Sequence, residues 1–204
     1  MPLSPPAERE LLHTRAITLH GYRRTDGLYD IEARLTDTKT QAVPSQDRGM
    51  IAAGEPLHGM WMRMTVDEQM RIVQCEAATD HGPYAVCPQA APNFARLAGL
   101  TIRGGFLKEA AARVGGPAGC THLRELLQQV ATTAIQTLYS VKAKQEANSD
   151  SLDRGLLNTC LAYGTDSPVV QRRWPHLYTG RAQGIIGPLE TGADRAQTAQ
   201  VSEA

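Results

Sequence analysis

A cysteine and a histidine stand two residues apart in the segment Gly-Cys-Thr-His-Leu at positions 119–123. Apolar residues then recur at spacings of three and four, which predicts a helix from His122 to about Lys144. Cys120 and His122 would lie at the N-terminus of this helix, where the positive end of the helix dipole favours a thiolate. A thiolate and a neutral imidazole are ligands of zinc and iron, and a thiolate is also a nucleophile. Alternatively, Thr121 caps the helix and Cys120 packs as a small apolar side chain.

Two positions upstream carry the same types of ligand. A histidine lies in the segment Leu-His-Gly-Met, and a cysteine ends a turn that begins at Asp80. A fold that united them with the helix N-terminus would create a tetrahedral set of thiolate and imidazole ligands. The predicted metal ligands are His58, Cys87, Cys120 and His122. Asp80 and His81 are substitutes, since a carboxylate and a turn histidine also bind metals. The alternatives are a loop histidine that bonds to backbone and a buried thiol at a helix start.

Asp30 and Glu32 form a second candidate pair. They lie two apart in a segment with strand periodicity, so both side chains point to the same face of a sheet. Paired carboxylates can act as general acid and base when the pKa of one is raised, and Lys39 and Arg24 could neutralise them. The favoured interpretation is a solvated sheet face, and acid–base catalysis is the alternative, with Cys120 as the nucleophile.

The order of the elements predicts an α+β fold. A hairpin with an Asp26-Gly27 turn is followed by a long polar loop at 38–56 and by a second pair of strands. Strands that come first and helices that come later are typical of a small antiparallel sheet packed against C-terminal helices. The predicted strands are 15–22, 28–37, 60–66 and 71–79, and the predicted helices are 88–98, 106–114, 122–144 and 156–163.

Composition limits the class of protein. The 204 residues suit one domain, predicted at 13–178, between a flexible arm at 1–12 and a disordered tail at 179–204. A net charge of zero and an aromatic content of 5% argue against a nucleic-acid partner. The sequence begins without a signal-like segment and lacks an apolar run long enough for a membrane span, so we expect a cytoplasmic protein. Its four scattered cysteines then suit buried thiols, ligands or nucleophiles better than disulfides.

Several segments resemble the domain of unknown function 2889 family over residues 13–178. The matching segments are Gly21-Tyr22-Arg23-Arg24-Thr25-Asp26-Gly27-Leu28-Tyr29-Asp30-Ile31-Glu32-Ala33, Asp37-Thr38-Lys39, His58-Gly59-Met60, Pro83-Tyr84-x-x-Cys87 and Gly119-Cys120-Thr121-His122-Leu123. This resemblance implies no particular activity.

Residues 58–139 also resemble the iron–sulfur cluster scaffold fold of the IscU/NifU type. The strand pair, the turn that ends in Cys87, the short helix and the Cys-x-His pair before a long helix match the order of elements in that family. The resemblance implies an IscU-like fold and a ligand site that includes His58. The Cys-Gly-Asp motif of the family is replaced here by Leu57-His58-Gly59, which counts against a scaffold.

These observations lead to a functional hypothesis. We expect a protein that binds zinc or iron at a Cys/His site and that could use the metal or a thiolate to act on a small molecule. The alternatives are a non-enzymatic scaffold or carrier for iron–sulfur clusters or sulfur, and an interaction module with a structural metal. Substrate, metal identity and oligomeric state, including a homo-oligomer, stay open.

Overall fold

The computed structural model describes residues 3–145 and 157–180. The chain divides into two compact units, Met1–Ala147 and Asn148–Ala204. The predicted domain bounds at 1–12, 13–178 and 179–204 stay predictions, and residues 181–204 lie outside the described residues. None of the described helices is long and apolar enough to cross a membrane.

The first unit is built on a four-stranded antiparallel sheet whose neighbours follow the order β1-β2-β5-β6. The strands of the unit are β1 (His13–Arg23), β2 (Tyr29–Lys39), β3 (Val43–Ser45), β4 (Gly49–Ile51), β5 (Pro56–Val66) and β6 (Ile72–His81). The predicted α+β fold is therefore confirmed. The long loop at 38–56 is the main difference, because it contains the β3–β4 hairpin. A buried Ile51 anchors that hairpin in an otherwise polar segment.

Helices follow the sheet. The α-helices of the unit are α1 (Phe106–Val114) and α2 (Thr121–Gln145). The predicted helix at 88–98 is instead a 3₁₀-helix, Cys87–Leu97. Pro92 lies inside it and has no backbone N–H, so regular α-helical hydrogen bonding is interrupted there. The predicted helix at 156–163 begins outside the described residues, and only a 3₁₀-turn at Leu161–Tyr163 falls in that range.

The core lies between one face of the sheet and the helices. Strand alternation buries Tyr29, Ile31, Ala33 and Leu35, as their period of two predicts. The methionines of β5 extend the core on the neighbouring strand, and α2 packs against β1, β2 and β5. Cys75 also belongs to this core, and burial raises the pKa of its thiol to about 12. The sheet thus has one face under helices and one open face.

Helix α2 runs along β1 in close contact. A Cβ atom at Gly21 would lie 1.9 Å from Thr137 Oγ1, so only glycine permits this approach. Nearer the start of both elements, Arg15 forms an ion pair with Glu125. The two contacts are six residues apart on the strand, about 20 Å, and twelve apart on the helix, about 18 Å. The two spans are similar, which shows that helix and strand lie side by side.

The second unit contains a short helix, α3 (Pro168–Arg173). The Ser167 side chain caps it by accepting a hydrogen bond from the backbone N–H of Val170. Val170 and Trp174 are buried. This unit carries none of the predicted site residues.

Candidate metal centre

At one end of the sheet, the face that carries the core has polar residues in place of apolar ones, beneath the start of α2. In the antiparallel register Arg15 of β1 lies opposite Asp37 of β2, and Asp37 lies opposite His58 of β5. Each continues the inward-facing set of its strand, because residues two apart point to the same face. The register shifts directly after Asp37, and such a β-bulge is common beside functional sites. The row is therefore built by the pairing of three strands.

Asp37 is the centre of this row and is 2% exposed. Its Oδ1 accepts hydrogen bonds from Arg15 Nε at 2.8 Å and lies 3.0 Å from His13 Nε2. Its Oδ2 accepts a bond from Arg15 Nη2 at 2.8 Å and lies 3.0 Å from His58 Nδ1. Burial alone would raise the pKa of this carboxyl, but the hydrogen bonds from Arg15 and His13 outweigh burial and hold the pKa well below its usual range. Asp37 is thus a buried, fully partnered carboxylate.

Two imidazoles complete the cluster. The ring centroids of His58 and His122 lie 3.8 Å apart, with an angle of 31° between the ring planes. Burial lowers the pKa of His58, and the neighbouring His122 lowers it further, although Asp37 opposes both effects. A lowered pKa keeps the ring neutral at pH 7, so one ring nitrogen carries a free lone pair.

Asp37, His58 and His122 form a group that could hold a metal ion. Each offers one ligand atom, and these atoms all lie within 4.8 Å of one another. The separation of 3.0 Å between Asp37 Oδ2 and His58 Nδ1 is close to that of two ligand atoms on one ion with bonds of about 2.1 Å. Two histidines and one carboxylate are a ligand set of zinc and of non-haem iron sites.

Cys120 lies beside this group but is not a member of it. Its Sγ is 3.9 Å from His122 Nδ1 and 3.9 Å from Met60 Sδ. Helix α2 begins at Thr121, so the thiol directly precedes the helix, close to the predicted start. The ligand and nucleophile roles of Cys120 stay predictions.

The other predicted residues lie elsewhere among the described elements. Cys87 opens the 3₁₀-helix and packs against Gly82, where an added Cβ would lie 2.7 Å from the cysteine Cβ. Asp80 accepts a hydrogen bond from Trp61 Nε1 at 2.6 Å, and the ring of His81 lies against the backbone of Gly59. None of these polar residues belongs to the metal-type group, and their ligand roles stay predictions.

Asp30 and Glu32 point to the open face of the sheet, opposite to Asp37. Asp30 accepts a hydrogen bond from Thr65 Oγ1 at 2.7 Å, and Glu32 pairs with Arg63 at 2.7 Å. Their residue types and spacing are those predicted. His20 lies opposite Glu32 in the strand register, but none of the described hydrogen bonds joins an imidazole or a thiol to either carboxylate. A catalytic role for the pair stays a prediction.

Asp37 was not among the candidates chosen from the sequence, although a signal for it exists. It continues the alternating apolar positions of β2, two residues after Leu35. A carboxylate at a position where the pattern demands an apolar side chain must be paired if it is buried. The pattern therefore identifies Asp37 as unusual, but it does not identify its partners.

The fold and this group define an α+β protein with a candidate metal centre at one end of its sheet. A family model described as "Protein of unknown function (DUF2889)" matches residues 13–136, more than half of the chain. The protein therefore belongs to the DUF2889 family. A search of curated proteins and a search of solved structures give no match. The resemblance to the IscU/NifU fold accordingly stays a prediction.

Proposed function

We propose that this protein binds one zinc or iron(II) ion through Asp37, His58 and His122. The observation that carries the proposal is the convergence of three ligand atoms within 4.8 Å from two strands and the first turn of a helix. Ionisable side chains whose pKa values are shifted by burial and by specific partners cluster at functional sites, and Asp37 and His58 are both of this kind.

The charges around the group favour a transition metal. Among the described residues one carboxylate belongs to the group, and it already forms an ion pair with Arg15. Calcium and magnesium need several oxygen ligands and strong negative charge, which this site does not offer. Zinc and iron(II) gain much of their binding energy from imidazole nitrogen, so the two histidines suit them.

The hydrogen bonds of the group suggest where an ion would bind and what would orient its ligands. The ion would lie between His58 Nδ1 and Asp37 Oδ2, which are now 3.0 Å apart, and the neutral ring would then carry its one proton on Nε2. His13 and Arg15 would keep their bonds to the other oxygen and orient the carboxylate from outside the ligand shell. Because protons compete with the ion for the imidazole nitrogens, binding should weaken as the pH falls.

Three protein ligands leave a coordination position open, which is typical of a catalytic rather than a structural site. At that position the ion would act as a Lewis acid or would activate a bound water for attack on a small molecule. Cys120 could instead become a fourth ligand and close the site. Cluster scaffolding is the less favoured function, because iron–sulfur clusters are held mainly by thiolates and this group offers nitrogen and oxygen.

Elemental analysis of protein purified without chelators tests the proposal. We expect one zinc or iron per chain in the wild type and only a small fraction of that content in His58→Ala and His122→Ala, because each substitution removes a ligand. His20→Ala is the matched control, since His20 is an exposed histidine in β1, apart from the group. Equal metal content in all four proteins, or none in any after reconstitution, would contradict the proposal.

Cobalt substitution of the same protein separates an open site from a closed one. A four-coordinate site with a thiolate ligand gives a sulfur-to-cobalt charge-transfer band, and Cys120→Ser removes it. If the band is absent from the wild type and Cys120→Ser retains the metal, Cys120 is not a ligand and the enzyme interpretation gains support.

A further inference from the structure

The structure assigns Arg15 the role of a positioning residue that sets the separation between the two halves of this site, an inference that rests on the proposed metal centre. Two of the three ligand residues come from the sheet, and His122 comes from α2. Something must hold the start of that helix over the strands at a fixed distance, because a ligand that moves by 1 Å loses much of its contribution.

Arg15 makes contacts with both halves. Its Nε and Nη2 bind the two oxygens of Asp37 at 2.8 Å in a fork-like pair. Its Nη1 binds a carboxylate oxygen of Glu125 on α2. One planar guanidinium therefore joins a ligand on the sheet to the helix that carries the other ligand.

The position of Glu125 makes this contact specific to the site. Glu125 lies three residues after His122, so both side chains lie on adjoining parts of one helix face. The bond to Arg15 holds this first turn, whereas the Gly21–Thr137 approach fixes the helix about 18 Å further along. Leu123 and Leu126 beside this turn are fully buried and keep the helix on the sheet, so loss of the Arg15 bond should shift the first turn rather than detach it.

The chemistry of arginine explains why another cation should not replace it. Lysine carries one compact ammonium group, which cannot hold two oxygens of Asp37 in a plane and reach Glu125 as well. Arg15→Lys keeps the charge beside the metal but removes the geometry. The variant therefore separates positioning from simple electrostatics.

Metal titration tests the inference on the full chain with zinc as the probe. We expect Arg15→Lys, which removes an outer contact of the ligand Asp37, to lower zinc affinity by about tenfold. Glu125→Gln removes an exposed ion pair one contact further from the metal and should lower the affinity by up to about fivefold. Glu109→Gln is the matched control, because Glu109 lies on α1, apart from the site, and the substitution breaks only an exposed ion pair with Arg103. Glu125 is 51% exposed, so its variant should fold even if Arg15→Lys does not.

A second measurement needs no metal. In the metal-free protein we expect a strong nuclear Overhauser effect between the ring protons of His58 and His122, whose centroids lie 3.8 Å apart. It should weaken in Glu125→Gln and stay unchanged in Glu109→Gln. Variants that keep both the signal and the wild-type affinity would overturn the role of Arg15. A wild type without zinc affinity, whose ring signal still depends on Glu125, would instead sink the metal proposal and leave the positioning role supported.

Discussion

The two faces of the sheet carry rows of similar residues in different surroundings. On the covered face, Arg15, Asp37 and His58 cross three neighbouring strands. On the open face, Glu32, Arg63 and Glu76 form the other row, also across three strands. The bond lengths are nearly equal, at 2.8 Å for Arg15 to Asp37 and 2.7 Å for each bond of Arg63. Geometry alone therefore does not distinguish a candidate site from a surface network.

Exposure to water distinguishes them. The side chain of Asp37 is 2% exposed, whereas those of Glu32 and Glu76 are 34% and 52% exposed. Water and salt screen the open row, and such pairs contribute about 0–1 kcal/mol each to the free energy of unfolding. On the covered face the partners of Asp37 become necessary, because without them this carboxylate would be a buried, unpaired charge, whereas Arg15 itself is 32% exposed. The helix above the sheet therefore turns common residue types into a functional candidate.

The largest effect should come from the buried carboxylate. Asp37→Asn replaces a buried carboxylate that is bonded to Arg15, His13 and His58 by a neutral amide, and should lower the free energy of unfolding by about 1.5–3 kcal/mol, the range for hydrogen bonds to a charged group. Glu32→Gln on the open face should lower it by less than about 1 kcal/mol. Urea denaturation of both variants measures the difference. Equal losses would show that the two rows do not differ as their exposure indicates.

Acid should reveal the same contrast. The pKa of Asp37 is lower in the folded protein than in the unfolded chain, where an aspartate has a pKa of about 3.9. Its contribution to stability is therefore complete above about pH 4 and is lost as the pH falls further, by about 1.4 kcal/mol for each pH unit. Unfolding free energies measured between neutral and acid pH should show this slope in the wild type. In Asp37→Asn the part of the slope that this carboxyl contributes should be missing. Identical slopes in the two proteins would contradict the assignment of a lowered pKa to Asp37.

Substitution of Gly21 tests the contact between helix and strand. Gly21→Ala places a Cβ 1.9 Å from Thr137 Oγ1, so α2 or β1 must shift, at a cost of about 1–3 kcal/mol. Gly104→Ala is the control, since a Cβ there meets no atom within 4 Å and its φ is not left-handed. The midpoint temperature of thermal unfolding should be well below that of the control in Gly21→Ala. Equal midpoints would mean that the helix is not held tightly there.

The smallest effect is expected on the open face. Arg63→Gln removes both ion pairs of the exposed row, yet it should change the free energy of unfolding by less than about 1 kcal/mol in moderate salt. Zinc affinity should not change, because the opposite face carries the proposed ligands. A loss of zinc affinity in this variant would link the two faces and weaken the comparison.

Local periodicity in the sequence determined the fold class and the long helix. The alternation of β2, the Asp-Gly turn and the three-and-four spacing of α2 are short-range patterns, and the structure confirms an antiparallel sheet with helices. The start of α2 differs from the predicted start by one residue. The 3₁₀-helix at Cys87–Leu97 depends on one proline, and the β3–β4 hairpin depends on one buried isoleucine. A single residue hardly changes the periodicity of a long segment, so the sequence pattern predicted neither the 3₁₀ form nor the hairpin.

The tertiary structure decided the composition of the candidate site. The sequence indicated histidines 58 and 122 by residue type, but their separation depends on how α2 packs across the sheet. Asp37 became a candidate only when the strand register placed it between Arg15 and His58. Cross-strand register and helix docking join residues more than 20 positions apart, and no local pattern of side chains encodes such a contact. Burial then lowered the pKa of His58, and hydrogen bonds from Arg15 and His13 lowered that of Asp37 against the effect of burial, because only the folded chain brings these groups together and excludes water from them.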